Sequence, residues 1–464
     1  MKERIKLSMD AVVIIGGGAS GLLAAAQLLF RGAEVTLIDP AAELGQGMAY
    51  STECPLHLLN VPATNMSALP DEREHFLQWL EGIAPGEFTA CSFAPRMLYG
   101  GYMRSILEAA LRTGRGRFHH LRERAATARI EADGVLVETE GRQTLRAEAM
   151  ILATGNAAPA AWPNLPQDVA SSGRFFNMAW MEGAFKTRDH QAAVLLLGSG
   201  LTAVDALLAL RHQGHSGTVY MVSRRGLLPQ VHVLPISGCI QGPRWTGLDG
   251  LLRQLRIAAS DTAGFHAGWR EAVDSIRPDT NAYWQACSAL EQRRFLRHLR
   301  PFWDTHRHRM APQIGATVHS SLRDGTLKVL AGSTRGMRLA ADGLEVDVST
   351  RGSGKTETLH VERVINCTGP AANLARTANP LLRNLVERGI LQPDPHRLGA
   401  LVDGDGALMP ASGALVPIYA LGPLRMGTLI ESVAIPEIRV QARDLAELLM
   451  RRGTMLSPVT ALAE

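Results

Sequence analysis

Two apolar runs, each interrupted by glycines and followed by a helical pattern, stand out along the chain. Val12, Val13, Ile14 and Ile15 form a β-branched run with no polar alternation, which predicts a strand buried on both faces. Gly16, Gly18 and Gly21 follow, then an apolar helix over Leu22–Phe30 that ends at Arg31 and Gly32. Glu34–Ile38 give a second strand, with Asp39 just beyond it. The second unit repeats the device: Ala192–Leu197, then Gly198, Ser199 and Gly200, a helix around Val204–Arg211, and a strand over Thr218–Val222. Two further apolar strands end in small residues, Ala149–Gly155 (AMILATG) and Val364–Pro370 (VINCTGP). Gly134–Glu140 and Leu145–Ala147 read as pieces of a β-hairpin, and Ile418–Leu421 as a short strand. Pro436 and Glu437 suit the first turn of a closing helix running to Leu449. The pattern predicts an α/β protein with two Rossmann-like dinucleotide-binding domains, in the architecture of glutathione-reductase-like flavoproteins.

Each glycine turn has a chemistry. In G-x-G-x-x-G the first glycine permits the tight turn, the second lets backbone approach a pyrophosphate, and the third lets the helix lie close to the sheet. The helix N-terminus then attracts the phosphates. Gly16, Gly18, Ser20 and Gly21 are the candidate contacts of the first unit. Asp39 is placed to accept hydrogen bonds from ribose hydroxyls and to repel a 2′-phosphate. This unit predicts FAD. The second unit, with Gly198, Ser199, Gly200 and Thr202, has Ala203 at the third position, and its second strand ends in Ser223, Arg224 and Arg225. No acid stands there, and two guanidiniums occupy the place of a 2′-phosphate, which predicts NADPH. Thr154, Gly155 and Gly369 are expected beside the cofactors, where small residues let backbone approach closely. Gly422, followed by Pro423, is expected near the ribityl chain. The closing helix would direct its amino end at the flavin pyrimidine.

The two strands ending in small residues predict crossings between domains. The FAD domain is then discontinuous, over residues 1–160 and 355–464, and the nicotinamide domain spans 161–354. A helical substrate region occupies about 226–331, with Trp245, Trp269, Trp284 and Trp303 and the basic stretch Arg293–Arg309. Those arginines suit either a carboxylate or phosphate substrate or a solvated helix face. At 464 residues there is room for two or three cored domains, and a formal charge of +4 is too small to argue for nucleic acid. No apolar run reaches the roughly 18 residues of a membrane span, and MKERIKLSMD leads into the first strand without a secretory core, so a cytoplasmic location is expected. The five cysteines, Cys54, Cys91, Cys239, Cys287 and Cys367, contain no C-x-x-C pair and no zinc spacing, which argues against thiol–disulfide chemistry and predicts no metal.

The chain resembles the YdhS-like group of bacterial FAD/NAD(P)-binding proteins, related to flavin-dependent monooxygenases. The stretches that carry the resemblance are GGGASG, GMAYS (Gly47–Ser51), HLLNVPA (His57–Ala63), SRRG (Ser223–Gly226), RRFLRHLRPFWDTHRHR (Arg293–Arg309) and ALGPLRMGTLIESVAIPEIRVQA (Ala420–Ala442). LATGNAAP (Leu152–Pro159) is similar to the L-A-T-G-x-x-x-P stretch of N-hydroxylating monooxygenases, with Asn156 where an aromatic is usual. Gly173 is followed by Asn177 and Trp180, so the histidine of the Baeyer–Villiger fingerprint is missing. The resemblance implies an FAD monooxygenase that uses NADPH and molecular oxygen on a small molecule through a flavin C4a-hydroperoxide, by N-hydroxylation or Baeyer–Villiger-type insertion. An NAD(P)H oxidoreductase without oxygen insertion is the alternative. Such chemistry needs a sheltered pocket with hydrogen-bond donors. Asn60 is the candidate catalytic amide at the flavin edge, although the same residue suits an Asx turn before Val61-Pro62. His57 suits a core hydrogen-bonder or a base equally.

Overall fold

The computed structural model describes residues 11–233, 242–261 and 268–456. One parallel five-stranded sheet carries the first unit, in the order Ile418–Ala420, Ala149–Leu152, Ala11–Ile15, Glu34–Ile38, Phe118–Leu121. Its central strand is flanked in parallel on both sides, so Val13 and Ile14 have no exposed face, which is why β-branched residues run on without a polar break. The helix Ala19–Phe30 lies on this sheet, between the helix Arg96–Thr113 and the closing helix Ile435–Leu456. A three-stranded antiparallel sheet, Ala125–Glu131, Gly134–Thr139 and Thr144–Ala147, contains the expected hairpin pieces together with a strand that the sequence pattern did not mark.

The second unit is built on a seven-stranded sheet. Its parallel part orders Leu327–Leu339, Val219–Ser223, Val194–Leu197, Arg363–Asn366 and Phe175–Phe176. Beyond it, Leu327–Leu339 turns into an antiparallel meander with Leu344–Thr350 and Thr356–Val361. Strands Thr356–Val361 and Arg363–Asn366 therefore belong to this sheet, and the return to the first sheet comes after Asn366, later than the expected 355. The two small-residue strands look alike because each serves its own sheet: Ala149–Leu152 pairs with Ala11–Ile15, and Arg363–Asn366 with Val194–Leu197.

Between the second sheet's strands Val219–Ser223 and Leu327–Leu339 the chain runs through helices Leu248–Asp261, Gly268–Ser275, Thr280–Ala286, Ala289–Arg294, Arg300–Arg307 and Pro312–Arg323. Part of this insertion packs on the segment leading into the closing helix. Trp284 Nε1 donates to the Gly427 carbonyl at 2.8 Å, and the Asn281 side chain bonds both backbone groups of Glu431. Only part of the basic stretch forms the expected solvated face; the rest turns inward to acids of the protein itself. Arg307 and Arg309 are buried in ion pairs with Glu431 and Asp274, whereas Arg293, Arg294 and Arg297 are exposed.

The two units are fastened at Asp205, inside the helix Leu201–His212 that follows the second glycine turn. Its carboxylate pairs with Arg96 at 2.7 Å, with the side chains 4% and 16% exposed. Its carbonyl accepts from His57 Nε2 at 2.9 Å. Arg96 also donates to the Leu58 carbonyl at 3.1 Å, so the 57–60 loop and the Arg96 helix grip one residue of the other unit together. Removing one member of such a pair strands a buried charge. Asp205→Ala is expected to cost about 3–5 kcal/mol, read as a lowered urea midpoint.

Candidate functional site

The first turn is as tight as a dinucleotide turn requires. Gly16 lies at φ +104°, and a Cβ there would meet the Ala153 carbonyl oxygen at 2.4 Å; one on Gly21 would lie 1.8 Å from the Gly16 carbonyl oxygen. Gly18 caps the helix and faces Gly47 across a gap that a Cβ would enter at 3.7 Å. The second turn repeats the plan. Gly198 lies at φ +113° against the Cys367 carbonyl, and in front of Gly200 there is open space. Ala153-Thr154-Gly155 and Cys367-Thr368-Gly369 thus press on the first glycine of their own units. Gly155 and Gly369 both adopt positive φ, with nothing standing where a Cβ would be. Thr202 lies in the first turn of the second helix.

Asp39 uses one oxygen on the Gly17 N–H at 2.6 Å and the other on the Ala41 N–H at 2.8 Å. A carboxylate keeps further lone pairs, so it braces the turn and still offers acceptors for ribose hydroxyls. Ser20 is buried, and Gly422, at φ +71°, lies so close that a Cβ would approach the Ser20 Oγ to 2.8 Å. The Gly422 N–H donates to Gln441 Oε1 at 3.1 Å, so a glutamine of the closing helix holds the turn that Pro423 follows. Ser199 differs from expectation. Its hydroxyl lies 2.6 Å from the Leu227 carbonyl and 2.7 Å from Ser223 Oγ, which leaves only its backbone for a nucleotide. Those bonds shape the turn that presents Arg224 and Arg225. Arg225 lies over the Phe302 ring at 5.0 Å, and Arg224 is exposed; among the described residues neither forms an ion pair.

Asn60 is half-buried, and its carbonyl accepts from His232 Nε2 at 3.1 Å. Among the described residues the Asn60 side chain makes no hydrogen bond, which leaves its amide N–H groups available as donors. His57 is a core histidine: Nε2 is bound to Asp205, and Nδ1 lies 2.7 Å from Thr52 Oγ1, an arrangement suited to the neutral ring. Burial pushes its pKa down, opposed by the Asp205 charge.

A cavity of 730 Å³ opens between the helical insertion and the first half of the closing helix, lined by Arg277, Asn281, Arg425, Glu431, Glu437 and Gln441 among others. Arg307 grips Glu431 from behind at 3.1 Å, and Arg277 pairs with Glu437 at 3.1 Å. Burial raises the Glu431 pKa, and the Arg307 charge opposes the rise. Sequence reasoning noticed Glu437 only as a helix start and Arg307 only within the basic stretch, and it did not single out Arg277, Asn281, Arg425, Glu431 or Gln441, nor Arg96 and Asp205. Only Asp205 carried a local signal, an acid inside the apolar run LTAVDALLAL.

The two sheets with their glycine turns define a flavoprotein fold with two dinucleotide-binding domains. Residues 13–157 match the family model described as FAD-NAD(P)-binding. No curated protein sequence matches the chain. Solved structures do. L-lysine 6-monooxygenase from Pseudomonas syringae is 18% identical with a TM-score of 0.65, over 95% of this chain and 99% of that one. Ornithine N-hydroxylase KtzI of Kutzneria sp. 744, solved with reduced FAD, NADP+ and L-ornithine, is 16% identical with a TM-score of 0.63 over the same shares. Thioredoxin reductase of T. acidophilum is 12% identical with a TM-score of 0.52, over 96% of this chain and 99% of that one. Among the described residues no cluster of metal-ligating side chains occurs, and no helix is long and apolar enough to cross a membrane.

Two outcomes follow from this geometry. Gly21→Ala drives a methyl into the Gly16 carbonyl, and the purified variant is expected to lack flavin absorbance and to gain no thermal stability from added FAD. Burial also pushes His215 and His232 down to about 4. Below the ordinary histidine value of about 6.5, the unfolded chain takes up protons that the folded chain refuses. The stability these neutral rings contribute is therefore complete above that pH and declines towards about pH 4. Urea midpoints at pH 7 and pH 5 are expected to show the fall, and His232→Gln to reduce it.

Proposed function

We propose that the protein is an NADPH-dependent FAD monooxygenase that oxygenates a small molecule, by N-hydroxylation or Baeyer–Villiger-type insertion, with molecular oxygen as co-substrate. The observation that carries this reading is the pair of nucleotide turns on separate sheets, clamped through Asp205, beside a cavity walled by an insertion of the second unit. Bound FAD supplies a two-electron acceptor and the site of oxygen activation. The chain supplies the rest. Amides at the Gly16–Gly21 turn hold a pyrophosphate, and Asp39 takes ribose hydroxyls. Arg224 and Arg225 hold a 2′-phosphate, and the amide of Asn60 donates at the junction of the units. On this reading the FAD domain comprises residues 1–160 and the chain beyond Asn366, and the nicotinamide domain lies between.

The likeness to lysine and ornithine hydroxylases over nearly the whole chain favours oxygenation. Cysteine usage points the same way. Among the described residues Cys54, Cys91, Cys287 and Cys367 are free, Cys239 lying outside them, and burial pushes the Cys367 thiol well up, away from the reactive thiolate. The fold shared with thioredoxin reductase keeps an FAD-linked reductase as the second reading.

The test is isotopic. FAD-loaded protein is supplied with NADPH and ¹⁸O₂ and offered L-lysine, L-ornithine and a cyclic ketone in turn. One ¹⁸O atom in the product for each NADPH consumed is the expected result. NADPH oxidation that yields only hydrogen peroxide with every compound, or that proceeds with an added acceptor and no oxygen, would favour the reductase.

A further inference from the structure

The edge of the second sheet carries a cation that neither glycine motif announces. Ser223, the last residue of its strand, pairs with Ala331 of the neighbouring parallel strand. The turn that follows packs on that residue, since a Cβ on Gly226 would lie 3.1 Å from both the Ala331 backbone nitrogen and its methyl group. On the other side of Ala331, its carbonyl accepts from the Arg351 N–H at 2.8 Å. Arg224, Arg225 and Arg351 are thus gathered around one alanine, although Arg351 comes from the far end of the antiparallel meander.

Their surroundings make the gathering informative. Arg224 and Arg351 are exposed, Arg225 is half-buried over Phe302, and among the described residues none of the three has a carboxylate partner. Elsewhere on the same meander Arg338 is paired with both Glu345 and Asp347, so acids are not scarce there. Three cations on adjoining segments with no acid beside them favour an anion. In a Rossmann unit the adenosine end of the nucleotide lies beyond the strand that follows the glycine helix, here the strand ending at Ser223.

We infer that Arg351 is a third ligand of the adenosine 2′-phosphate, supplied by the meander and specific for NADPH over NADH. The inference rests on the proposed use of NADPH. It assigns the antiparallel extension of the sheet a role in cofactor choice, with Arg224 and Arg225 approaching the phosphate from one side and Arg351 from the other.

Calorimetry with adenosine 2′,5′-bisphosphate and adenosine 5′-monophosphate tests it without turnover. The wild-type protein is expected to prefer the bisphosphate. Arg351→Ala and Arg351→Gln should each weaken bisphosphate binding about tenfold, as expected for one charge-assisted hydrogen bond, and leave monophosphate binding unchanged. Arg335→Ala removes the same charge from the same meander, roughly 13 Å along the strand from Ala331, and should leave both unchanged. If the wild type prefers the bisphosphate and the Arg351 variants retain that preference, Arg351 is not a ligand and the NADPH reading stands. Equal losses in the Arg335 and Arg351 variants would reduce the effect to long-range charge and overturn the contact. A wild type with no preference overturns the NADPH reading and this inference with it. Thermal melts of both Arg351 variants establish that the fold is kept, since the side chain is exposed.

Discussion

Any hydride transfer between two nucleotides depends on how their two binding turns are held relative to each other, and here a large part of that burden falls on Asp205. The residue belongs to the helix of the second turn, yet both its carboxylate and its carbonyl are used by the first unit, through Arg96 and His57. A buried ion pair gains little over well-packed apolar groups, but it penalises any arrangement in which the partners separate. The clamp therefore selects one orientation of the units more than it adds stability. His57 contributes while neutral, because it donates to a carbonyl with Nε2 and accepts from Thr52 with Nδ1. The bond between Asn60 and His232 fastens the other end of the same loop.

The same reasoning extends to the cavity. Its wall is made by an insertion of the second unit packed on the closing helix of the first, and the join consists of Arg307 with Glu431, Arg277 with Glu437, and Trp284 with the Gly427 carbonyl. Charges in such a wall are costly unless paired, and pairing them across the join makes its geometry specific. The cavity lies against the closing helix, one turn of which also holds Gly422 through Gln441. A shift of the insertion would therefore be felt at the turn packed on Ser20.

Much of the nucleotide machinery was legible in the chain, because it is local. The spacing of Gly16, Gly18 and Gly21 encodes backbone contacts within a few residues, and a Cβ would collide where the motif forbids one. The absence of an acid after the second strand, with Arg224 and Arg225 in its place, is likewise a local feature. For Ser199 only the side-chain direction was illegible, because a serine in a glycine turn can face a ligand or the protein, and the position of Leu227 turns its hydroxyl inward. The pattern puts the return to the first domain at 355, whereas Thr356–Val361 and Arg363–Asn366 pair within the second sheet; AMILATG and VINCTGP are the same local device, and nothing in either states which sheet it joins.

The sequence by itself determined the two strand–turn–helix units, their order and the tightness of each turn, since apolar periodicity and glycine sterics act between near neighbours. Only the tertiary structure decided what stands between and around them. The Asp205 clamp, the Arg307–Glu431 wall and the approach of Arg351 to the Arg224 turn join residues far apart in the chain. Polar side chains of those types are as common on solvated surfaces as in buried pairs. Which of them become paired depends on the packing of two sheets and an insertion, and so on long-range contacts that no local pattern records.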